Sequence, residues 1–244
     1  MTEQPLIPDI DVRSLSFQYP DGQPALRNIS FSIAPHEKVA LVGANGSGKS
    51  TLLLHLNGIL RSRTGMVSIH GMPLSDQTIP QIRAAIGLVF QNPDDQLFSP
   101  RVYEDVAFAA RYQGLSEEEV GQRVSAALHA VRMEGYAQRL SHHLSIGEKK
   151  RIALATVLTM DAPILALDEP SAGLDPRARK DLTHLLRQFT DKTILISTHD
   201  MRFAAELCER VIVMDAGEIA ADGPAHILLH DRDVMERHGL ETVG

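Results

Sequence analysis

The chain has 244 residues, 43% of them hydrophobic and 23% charged, which suits one globular domain with room for a subdomain. Its 31 acidic and 24 basic side chains give a net charge of −7, and this balance argues against nucleic acid as a partner. A single cysteine excludes an internal disulfide and is typical of a reducing compartment. Residues 1–11 lack the basic and apolar regions of a signal peptide, and no apolar run reaches the ~18 residues of a membrane span. We therefore expect a cytosolic protein.

Apolar runs rich in Val and Ile alternate along the chain with longer stretches of helical periodicity. This order predicts an α/β fold whose sheet is largely parallel. The first two runs have no helix between them, so we expect an antiparallel pair at the start of the chain. The predicted strands are 12–19, 26–33, 38–42, 67–70, 87–90, 164–167, 193–197 and 211–214.

Two helix starts are marked by capping residues. Ser116 and Glu119 have the spacing of a capping box, and the apolar repeat that follows predicts a helix that ends at Gly135. Asp175 stands directly before Pro176, which predicts a second start with the aspartate as N-cap and the proline in the first turn.

We expect the chain to form one domain, 1–244, with an insertion. The stretch 92–158 is predicted to be mostly helical, and we interpret it as a subdomain inserted into an α/β core. That core would combine about 1–91, which also carries an antiparallel β subdomain, with 159–244. No internal repeat, low-complexity segment or long linker suggests a second domain.

The segment 43–51, GANGSGKST, matches the phosphate-loop pattern G-x-x-x-x-G-K-[ST] and lies between an apolar run and a leucine-rich run. In such loops, backbone N–H groups surround phosphates, and the N-terminus of the following helix favours their negative charge. We expect Lys49 to bind the β- and γ-phosphates and the Ser50 hydroxyl to bind Mg²⁺. The predicted nucleotide contacts of this loop are Gly43, Asn45, Gly46, Ser47, Gly48, Lys49, Ser50 and Thr51.

Two carboxylates follow the apolar run 164–167. Asp168 and Glu169 would lie at the carboxyl end of a parallel strand, where α/β folds bind their ligands. We predict that Asp168 binds Mg²⁺ and that Glu169 polarises the attacking water as the catalytic base. The guanine-specific motif Asn-Lys-x-Asp is missing, which disfavours a GTPase. The loop and the carboxylates together predict a P-loop protein that binds a nucleotide with Mg²⁺, which is a large class.

Four further segments occur in a characteristic order: Gln91 after a predicted strand, 144–151 (LSIGEKKR), 171–175 (SAGLD) and 197–200 (STHD). In this order they resemble the Q-loop, signature, D-loop and switch histidine of ATP-binding cassette (ABC) ATPases. The resemblance extends over about 19–223, nearly the whole chain. It implies a P-loop nucleotidase fold of the α/β class, with an antiparallel β subdomain and an inserted helical subdomain.

The run 90–98, FQNPDDQLF, followed by 102–108, VYEDVAF, is similar to a narrower branch of this family. That branch energises cobalt, nickel and vitamin uptake and includes the energy-coupling-factor importers. The resemblance therefore implies an ATP-hydrolysing motor subunit of an importer for a transition metal or a vitamin. The transport path would lie in separate membrane subunits, and this chain would bind them at the cytoplasmic face of the membrane.

The resemblance also implies roles for residues outside the phosphate loop. Tyr19 would stack on the adenine of ATP. Gln91 would touch Mg²⁺ and the attacking water. His199 would hydrogen-bond the γ-phosphate and orient Glu169.

In this family two cassettes pair head to tail, so the partner would be a second ATPase subunit, identical or homologous. Each ATP is then held between one phosphate loop and the signature of the opposite cassette. Ser145 and the Gly147 amide would bind the γ-phosphate held by the partner, and Asp175 would cross to the second cassette. The expected catalytic residues are Lys49, Gln91, Glu169 and His199, and the expected metal ligands are Ser50, Gln91 and Asp168.

The signature departs from the usual Leu-Ser-Gly-Gly-Gln at two positions. Ile146 replaces the first glycine, and since a β-branched residue avoids positive φ, we expect an ordinary backbone conformation there. Glu148 replaces the glutamine and would repel phosphate, so we expect it to point away, toward Lys149 or Arg151.

Three other functions compete with the importer hypothesis. A soluble ABC protein of DNA repair or translation usually has a coiled-coil insertion or two cassettes, and this sequence shows neither. A small-molecule P-loop kinase is disfavoured by the signature and the switch histidine. A non-hydrolysing regulatory cassette is disfavoured by the intact Lys49, Asp168 and Glu169.

Overall fold

The computed structural model describes residues 7–243. The predicted lack of a signal peptide concerns residues 1–11, and residues 1–6 of that segment lie outside the described residues. Its strands are β1 (Ile10–Gln18), β2 (Pro24–Ile33), β3 (Lys38–Val42), β4 (Thr64–Ile69), β5 (Met72–Pro73), β6 (Ile86–Val89), β7 (Ile164–Asp168), β8 (Thr193–Thr198), β9 (Arg210–Asp215) and β10 (Glu218–Pro224). Its α-helices are α1 (Lys49–Leu56), α2 (Ile79–Ala85), α3 (Val102–Tyr112), α4 (Glu117–Ala130), α5 (Ile146–Leu158), α6 (Pro176–Gln188), α7 (Met201–Leu207), α8 (Ala225–Leu228) and α9 (Arg232–Arg237). None of the helices in the described part is long and apolar enough to span a bilayer.

The strands form two sheets. An antiparallel sheet has the order β2, β1, β4, β5, and a six-stranded sheet has the order β10, β9, β3, β8, β7, β6. In the larger sheet the neighbours from β9 to β6 pair in parallel, and only the edge strand β10 is antiparallel. The predicted α/β class, with an antiparallel start and a largely parallel sheet, is confirmed.

Several predicted strand ends are wrong by one to three residues, and β5 and β10 were not predicted at all. The residues of β10 are alternately exposed and half-buried, so this edge strand has no apolar run to reveal it. Tyr19 and Phe90 lie just beyond β1 and β6 instead of inside them. At Tyr19 the chain already turns, because the Gly22 amide donates to the Tyr19 carbonyl oxygen at 2.9 Å. Both aromatic residues therefore belong to loops at strand ends.

Both predicted helix starts are confirmed. At α4, the Ser116 side chain accepts from the Glu119 amide, and the Glu119 carboxylate accepts from the Ser116 amide, which makes a complete capping box. At α6, the Asp175 carboxylate accepts from the backbone amides of Arg177 and Ala178, both at 2.9 Å. These bonds satisfy amides that the first turn of a helix leaves without intrahelical partners.

The predicted end of the first of these helices is wrong. It was expected at Gly135, but α4 ends at Ala130. The chain turns at Arg132, whose φ is +57°, and the Met133 amide donates back to the Leu128 carbonyl oxygen at 2.8 Å. Arg132 thus has the left-handed conformation that glycine usually has after a helix. The nearest glycine, Gly135, therefore predicts the wrong helix end.

Residues 92–158, here called the helical region, lie between β6 and β7 and contain α3, α4 and α5, which pack against one another. Their buried side chains, such as Val106, Val124 and Ile152, continue into one face of the larger sheet. The side chains of β1, β2, β4 and α1 cover the opposite face. Because successive strand residues point to opposite faces, Ala40 of β3 joins the first cluster and Leu41 the second. The larger sheet is therefore covered on both sides.

Candidate nucleotide-binding site

The polar motifs of the sequence meet at one edge of the larger sheet. The loop 43–48 follows β3, Gln91 follows β6 closely, and Glu169 and His199 follow β7 and β8. These four strands run parallel, so their carboxyl ends share the edge where α/β sheets bind ligands. One cavity at this edge is lined in part by Tyr19, Asn45, Gly46, Gly48, Lys49, Ser50, Thr51, Gln91 and Glu169.

The phosphate loop holds the Lys49 cation against its own backbone. Lys49 is buried, and its Nζ donates to the carbonyl oxygens of Gly43 at 2.7 Å and Ala44 at 3.0 Å. Burial lowers the pKa of Lys49, and the negative charges of Glu169 and Asp168 oppose that shift. The Lys49 cation is therefore held in the loop, close enough to Glu169 and Asp168 to interact with their negative charges.

The loop also has the open backbone that phosphate binding requires. Gly46 has a φ of +80°, and a Cβ there would meet nothing within 4 Å. Gly48 has a φ of +103°, and a Cβ there would lie 2.6 Å from the Ala25 carbonyl oxygen, so only glycine fits. The Ser47 hydroxyl oxygen is buried and has no hydrogen-bond partner among residues 7–243. An anion that accepts hydrogen bonds from the loop backbone fits the open conformation at Gly46.

Tyr19 lines the same cavity, and two contacts fix its ring. Its hydroxyl lies 2.9 Å from Thr51 Oγ1 at the start of α1. Its ring packs edge-to-face on Phe17, with centroids 5.0 Å apart. A half-buried aromatic ring held beside the phosphate loop offers a stacking surface for a planar base.

Asp168 and Glu169 are both anchored by Ser197 of β8. Asp168, the last residue of β7, is buried and accepts a hydrogen bond from the Ser197 hydroxyl. Glu169 is 4% exposed, has a φ of +47°, and donates from its amide to the Ser197 carbonyl oxygen at 3.0 Å. The sequence analysis named Ser197 only as part of a motif, because nothing in the sequence indicates which side chain a buried serine will face.

His199 and Glu169 are in close contact. His199 Nδ1 lies 2.9 Å from Glu169 Oε2, within ion-pair distance. The same buried oxygen receives no hydrogen bond with acceptable geometry from any residue between 7 and 243. Both observations hold, since a hydrogen bond requires the N–H to point at the oxygen and an ion pair requires only proximity. Glu169 Oε2 therefore has His199 beside it but no hydrogen bond from the described residues.

Gln91 is exposed and lines the cavity, and the chain around it is anchored by Gln96. The Phe90 amide donates to Gln96 Oε1 at 3.1 Å, and Gln96 Nε2 donates to the Ala153 carbonyl oxygen of α5 at 2.9 Å. Gln96 therefore fastens the Gln91 segment to the helix that follows the signature. This role of Gln96 was not predicted, because its partners on α5, Ala153 and Thr156, are 57 and 60 residues away in the chain.

The signature forms the N-terminus of α5, with Ser145 as its N-cap. The Ser145 amide and hydroxyl both donate to Glu148 Oε2, at 2.8 and 2.9 Å. The expected orientation of Glu148 toward Lys149 or Arg151 is wrong, because its other oxygen accepts from the Tyr136 hydroxyl at 2.7 Å. This bond is the largest cause of the lowered pKa of Glu148. Glu148 is thus held by its own capping box and by the loop before α5.

The remaining predicted contacts do not line the cavity of the phosphate loop. Ser145 and Gly147 are at the start of α5, and Asp175 caps α6. Ile146 is the first residue of α5, so its backbone is helical, as expected. The structure therefore brings together the phosphate loop, Gln91, the carboxylates and His199, and it leaves the signature outside this cavity.

Known proteins of similar sequence and structure were compared with the chain. A family model described as ABC transporter matches residues 26–172. The energy-coupling factor transporter ATP-binding protein EcfA of Methanothermobacter thermautotrophicus is 46% identical over 235 residues, 95% of this chain and 76% of that protein. The structure of CbiO1 from Clostridium perfringens, part of the ABC transporter complex cbiONQ, gives a TM-score of 0.82 with 38% identity and 94% coverage of both chains. The cassette MJ0796, solved as a dimer in a post-hydrolysis state with ADP and Pi, gives 0.83 with 27% identity, over 88% of this chain and 98% of that one.

The matched range contains the phosphate loop, Gln91, the signature and both carboxylates, so the comparison covers the nucleotide site itself. The similarity over more than nine-tenths of the chain also includes the switch histidine, which lies beyond the family model. The chain belongs to the ABC transporter family, as one of its ATP-binding subunits, and it is an ATPase that resembles the energy-coupling-factor and cobalt-importer branch.

Proposed function

We propose that the chain is the ATP-hydrolysing motor of an importer for a transition-metal ion, cobalt or nickel, or for a vitamin. The observation that carries the proposal is the similarity, over nearly the whole chain, to a protein named as an energy-coupling factor ATPase. The similarity to CbiO1, part of a transporter complex, supports the same class. In this proposal the solute passes through separate membrane subunits, and the chain binds them at the cytoplasmic face of the membrane.

The nucleotide is proposed to lie in the cavity of the phosphate loop. The adenine stacks on Tyr19, and the loop amides and Lys49 bind the β- and γ-phosphates. The open backbone at Gly46 and the buried Lys49 cation support an anion at this place. The neighbouring Thr51 hydroxyl supports the Tyr19 ring.

Ser50, Gln91 and Asp168 are proposed to hold Mg²⁺. Their hydroxyl, amide and carboxylate oxygens are the hard ligands that Mg²⁺ prefers, usually completed by water and substrate phosphates. Ser50 and Gln91 line the cavity, and Asp168 is buried at the end of β7, so the donor set fits the ion. When bound, the ion neutralises negative charge on the phosphate oxygens.

Glu169 is proposed to be the catalytic base. Glu169 lines the cavity, and its Oε2 lies beside His199, so this carboxylate is placed to polarise a water molecule there. His199 keeps this carboxylate in place and reaches the γ-phosphate, and Lys49 stabilises the charge that develops on the phosphate. A positioned base of this kind contributes about 10²–10⁴ in rate.

Two cassettes are proposed to pair head to tail. Ser145 and the Gly147 amide then bind the γ-phosphate held by the partner, and Asp175 crosses to the partner. Support comes from the position of the signature outside the cavity of its own phosphate loop. A cassette with a similar structure has been solved as a dimer.

The membrane subunits are proposed to dock on a groove between α2, α3 and α5. Three aromatic side chains there are largely exposed: Phe98 is 67%, Phe108 53% and Tyr112 85% exposed. Phe98 and Phe108 pack edge-to-face with centroids 5.1 Å apart, so they present one rigid apolar surface. Exposed aromatic clusters are typical of protein interfaces, and this one follows the Gln91 segment directly in the chain.

The division of the chain is also a proposal. We treat 1–244 as one ABC ATPase domain, in which the helical region is a subdomain inserted into the core of about 1–91 and 159–244. The helical character of the segment between β6 and β7 supports this division. So does the crevice that separates α5 from α6.

The proposal is tested by purifying the tagged chain from detergent-solubilised membranes of its own host with its membrane subunits. The complex is reconstituted in proteoliposomes and supplied with ATP and with labelled cobalt, nickel or vitamins in turn. We expect ATP-dependent uptake of one of these solutes, and no uptake with Lys49→Ala. A complex that hydrolyses ATP and accumulates none of these solutes would contradict the proposed solute class. A chain that copurifies with no membrane protein would contradict the transport role.

A further inference from the structure

Lys150 crosses from the helical region to the residue that follows β7. It lies in the second turn of α5, and its Nζ donates a hydrogen bond to the backbone carbonyl oxygen of Glu169 at 2.6 Å. Lys150 lines an apolar crevice together with Leu154, Leu167 and Leu174. Its aliphatic stem lies along this apolar surface, and its ammonium group extends to the Glu169 carbonyl. Lys150 belongs to the signature segment 144–151, where no role was predicted for it.

The ammonium group is held in this place against the cost of desolvation. Burial lowers the pKa of Lys150, and the negative charges of Glu169 and Asp168 oppose that shift. A hydrogen bond from a charged donor is stronger than one between neutral groups. The Lys150–Glu169 bond is therefore more than a surface contact, and its loss would leave a polar cation in an apolar crevice.

Glu169 needs such an anchor because its backbone is unusual. Its φ of +47° lies in the left-handed region, which is unfavourable for a residue with a Cβ. Such conformations persist where the surroundings fix them from several sides. Here the Glu169 amide is held by Ser197 of β8, and the Glu169 carbonyl is held by Lys150 of α5. The two peptide groups that set the direction of the Glu169 side chain thus have one anchor in the core and one in the helical region.

We propose that Lys150 is a positioning residue for Glu169, which fixes the Glu169 backbone so that its carboxylate stays beside His199 in the nucleotide cavity. The inference rests on the proposed role of Glu169 as the base. It goes beyond that role because it makes the placement of the base depend on α5.

The helix that carries Lys150 also carries the signature. Ser145 caps α5, and Lys150 follows five residues later, about 7.5 Å along the same rigid helix. A displacement of α5 by about 1 Å would stretch the 2.6 Å bond toward the limit of hydrogen bonding. The position of the signature and the position of the base are therefore linked through one element.

The first test compares two substitutions at Lys150. Lys150→Met keeps an unbranched stem and removes the donor, whereas Lys150→Arg keeps a charged donor. We expect Lys150→Met to lower kcat by about 10–100-fold with KM changed less than about twofold, because a base displaced by about 1 Å loses rate and not ground-state binding. Lys150→Arg should recover most of kcat. Lys150→Gln replaces Lys150→Met if circular dichroism shows that the methionine variant does not fold.

Lys192→Met is the matched control. Lys192 is also largely buried, and its Nζ donates to the Ala162 carbonyl oxygen at 3.0 Å, just before the other end of β7. It therefore makes the same kind of bond far from the nucleotide edge. We expect its loss to leave kcat unchanged, and an equal loss of kcat in both variants would overturn the role of Lys150.

The decisive measurement is single-turnover hydrolysis in a double-mutant cycle with Glu169→Gln. If Lys150 acts through Glu169, Lys150→Met slows the wild-type chain strongly and slows the Glu169→Gln chain less than about twofold. The same fold-loss in both backgrounds, or a loss confined to KM, would overturn the proposal. A wild-type rate in Glu169→Gln alone would instead contradict the base assignment, so the two failures are distinguishable.

Discussion

Asp168 and Glu169 are adjacent in the chain, yet their carboxylates have different surroundings. Asp168 still belongs to β7 and accepts from the Ser197 hydroxyl of the neighbouring strand. Glu169 leaves the strand through a left-handed backbone and keeps one oxygen beside His199 without a hydrogen bond from the described residues. A fixed carboxylate suits a metal ligand, and a carboxylate that lines the cavity suits a base.

Glu169→Gln separates binding from chemistry. The substitution keeps the size and the hydrogen-bonding capacity of the side chain but removes the proposed base, so hydrolysis should fall by about 10²–10⁴. Binding of Mg-ATP should be retained, because the ground-state contacts of the phosphate loop are untouched. Single-turnover hydrolysis and equilibrium nucleotide binding, measured on the same preparation, check both parts.

Two neighbouring substitutions serve as controls for this prediction. Asp168→Asn should weaken both Mg-ATP binding and hydrolysis, and Lys49→Ala should lose most nucleotide affinity with the missing charge. Wild-type turnover in Glu169→Gln would show that another residue is the base.

Cys208 gives a prediction that concerns only the fold. It is buried at the end of α7, and burial raises the pKa of its thiol to about 12. Because the thiolate is the reactive form, we expect a thiol reagent at pH 8 to leave the native protein unmodified and to label it after unfolding in urea. The raised pKa also means that the stability due to this group is complete below about pH 8.5 and is lost as pH rises toward 12. Rapid labelling of the native protein at pH 8 would contradict the buried position.

At the scale of elements, α5 and α6 both begin with side-chain caps. Ser145 caps α5, and its hydroxyl is engaged with Glu148 in the isolated chain. Asp175 caps α6 and is at the same time the residue proposed to reach the partner cassette. Capping requires only a side-chain oxygen that accepts from the amides of α6, whereas the proposed contact requires a side chain that reaches the partner. Substitutions at Asp175 can therefore separate the two roles.

Asp175→Ala should lower the free energy of unfolding by about 0.5–2 kcal/mol, because it removes the acceptor for two amides of α6. Asp175→Ser keeps a capping oxygen and should recover most of this stability. Urea unfolding of the ADP-bound and nucleotide-free proteins measures both variants. If Asp175→Ser is as stable as the wild type but does not dimerise with ATP, the result supports the proposed contact of Asp175 with the partner cassette. Equal stability of Asp175→Ala and the wild type would contradict the capping role.

At the scale of the whole molecule, the signature and the cavity of the phosphate loop are separate. Tyr19, Lys49, Gln91 and Glu169 line one cavity, and Ser145 is not part of its lining. One chain therefore presents the cavity and the signature as separate surfaces. Pairing of two chains would bring each signature to the other chain's nucleotide.

We expect ATPase activity to rise more steeply than linearly with protein concentration through the range in which cassettes pair. Ser145→Arg places a bulky side chain at the paired surface, so it should abolish this rise while nucleotide binding to the monomer stays within about twofold. Sedimentation with ATP, run beside the activity assay, shows whether pairing itself is lost. A strictly linear dependence, together with unchanged activity of Ser145→Arg, would show that one chain hydrolyses ATP alone.

Features that depend on a local pattern could be predicted from the amino-acid sequence. The phosphate loop needs glycines at fixed spacing before Lys49, the caps at Ser116 and Asp175 need only the next few residues, and the buried strands of the larger sheet are continuous apolar runs. Local sequence patterns failed to predict the end of α4 and the presence of β10. Arg132 ends α4 in a conformation typical of glycine, and β10 is an edge strand without an apolar face.

The side chains that anchor the site could be identified only from the packed fold. Ser197 reaches Asp168 because β7 and β8 are neighbours in the sheet, and Lys150 reaches the Glu169 carbonyl because α5 packs against the core. The capping box at Ser145 was set by local sequence, but the choice of Tyr136 as the second partner of Glu148 depended on the loop before α5. A sequence motif consists of residues that are close in the chain, so it can be recognised without the fold. Pairs such as Ser197 with Asp168 and Lys150 with Glu169 are far apart in the chain and meet only because separate elements pack together.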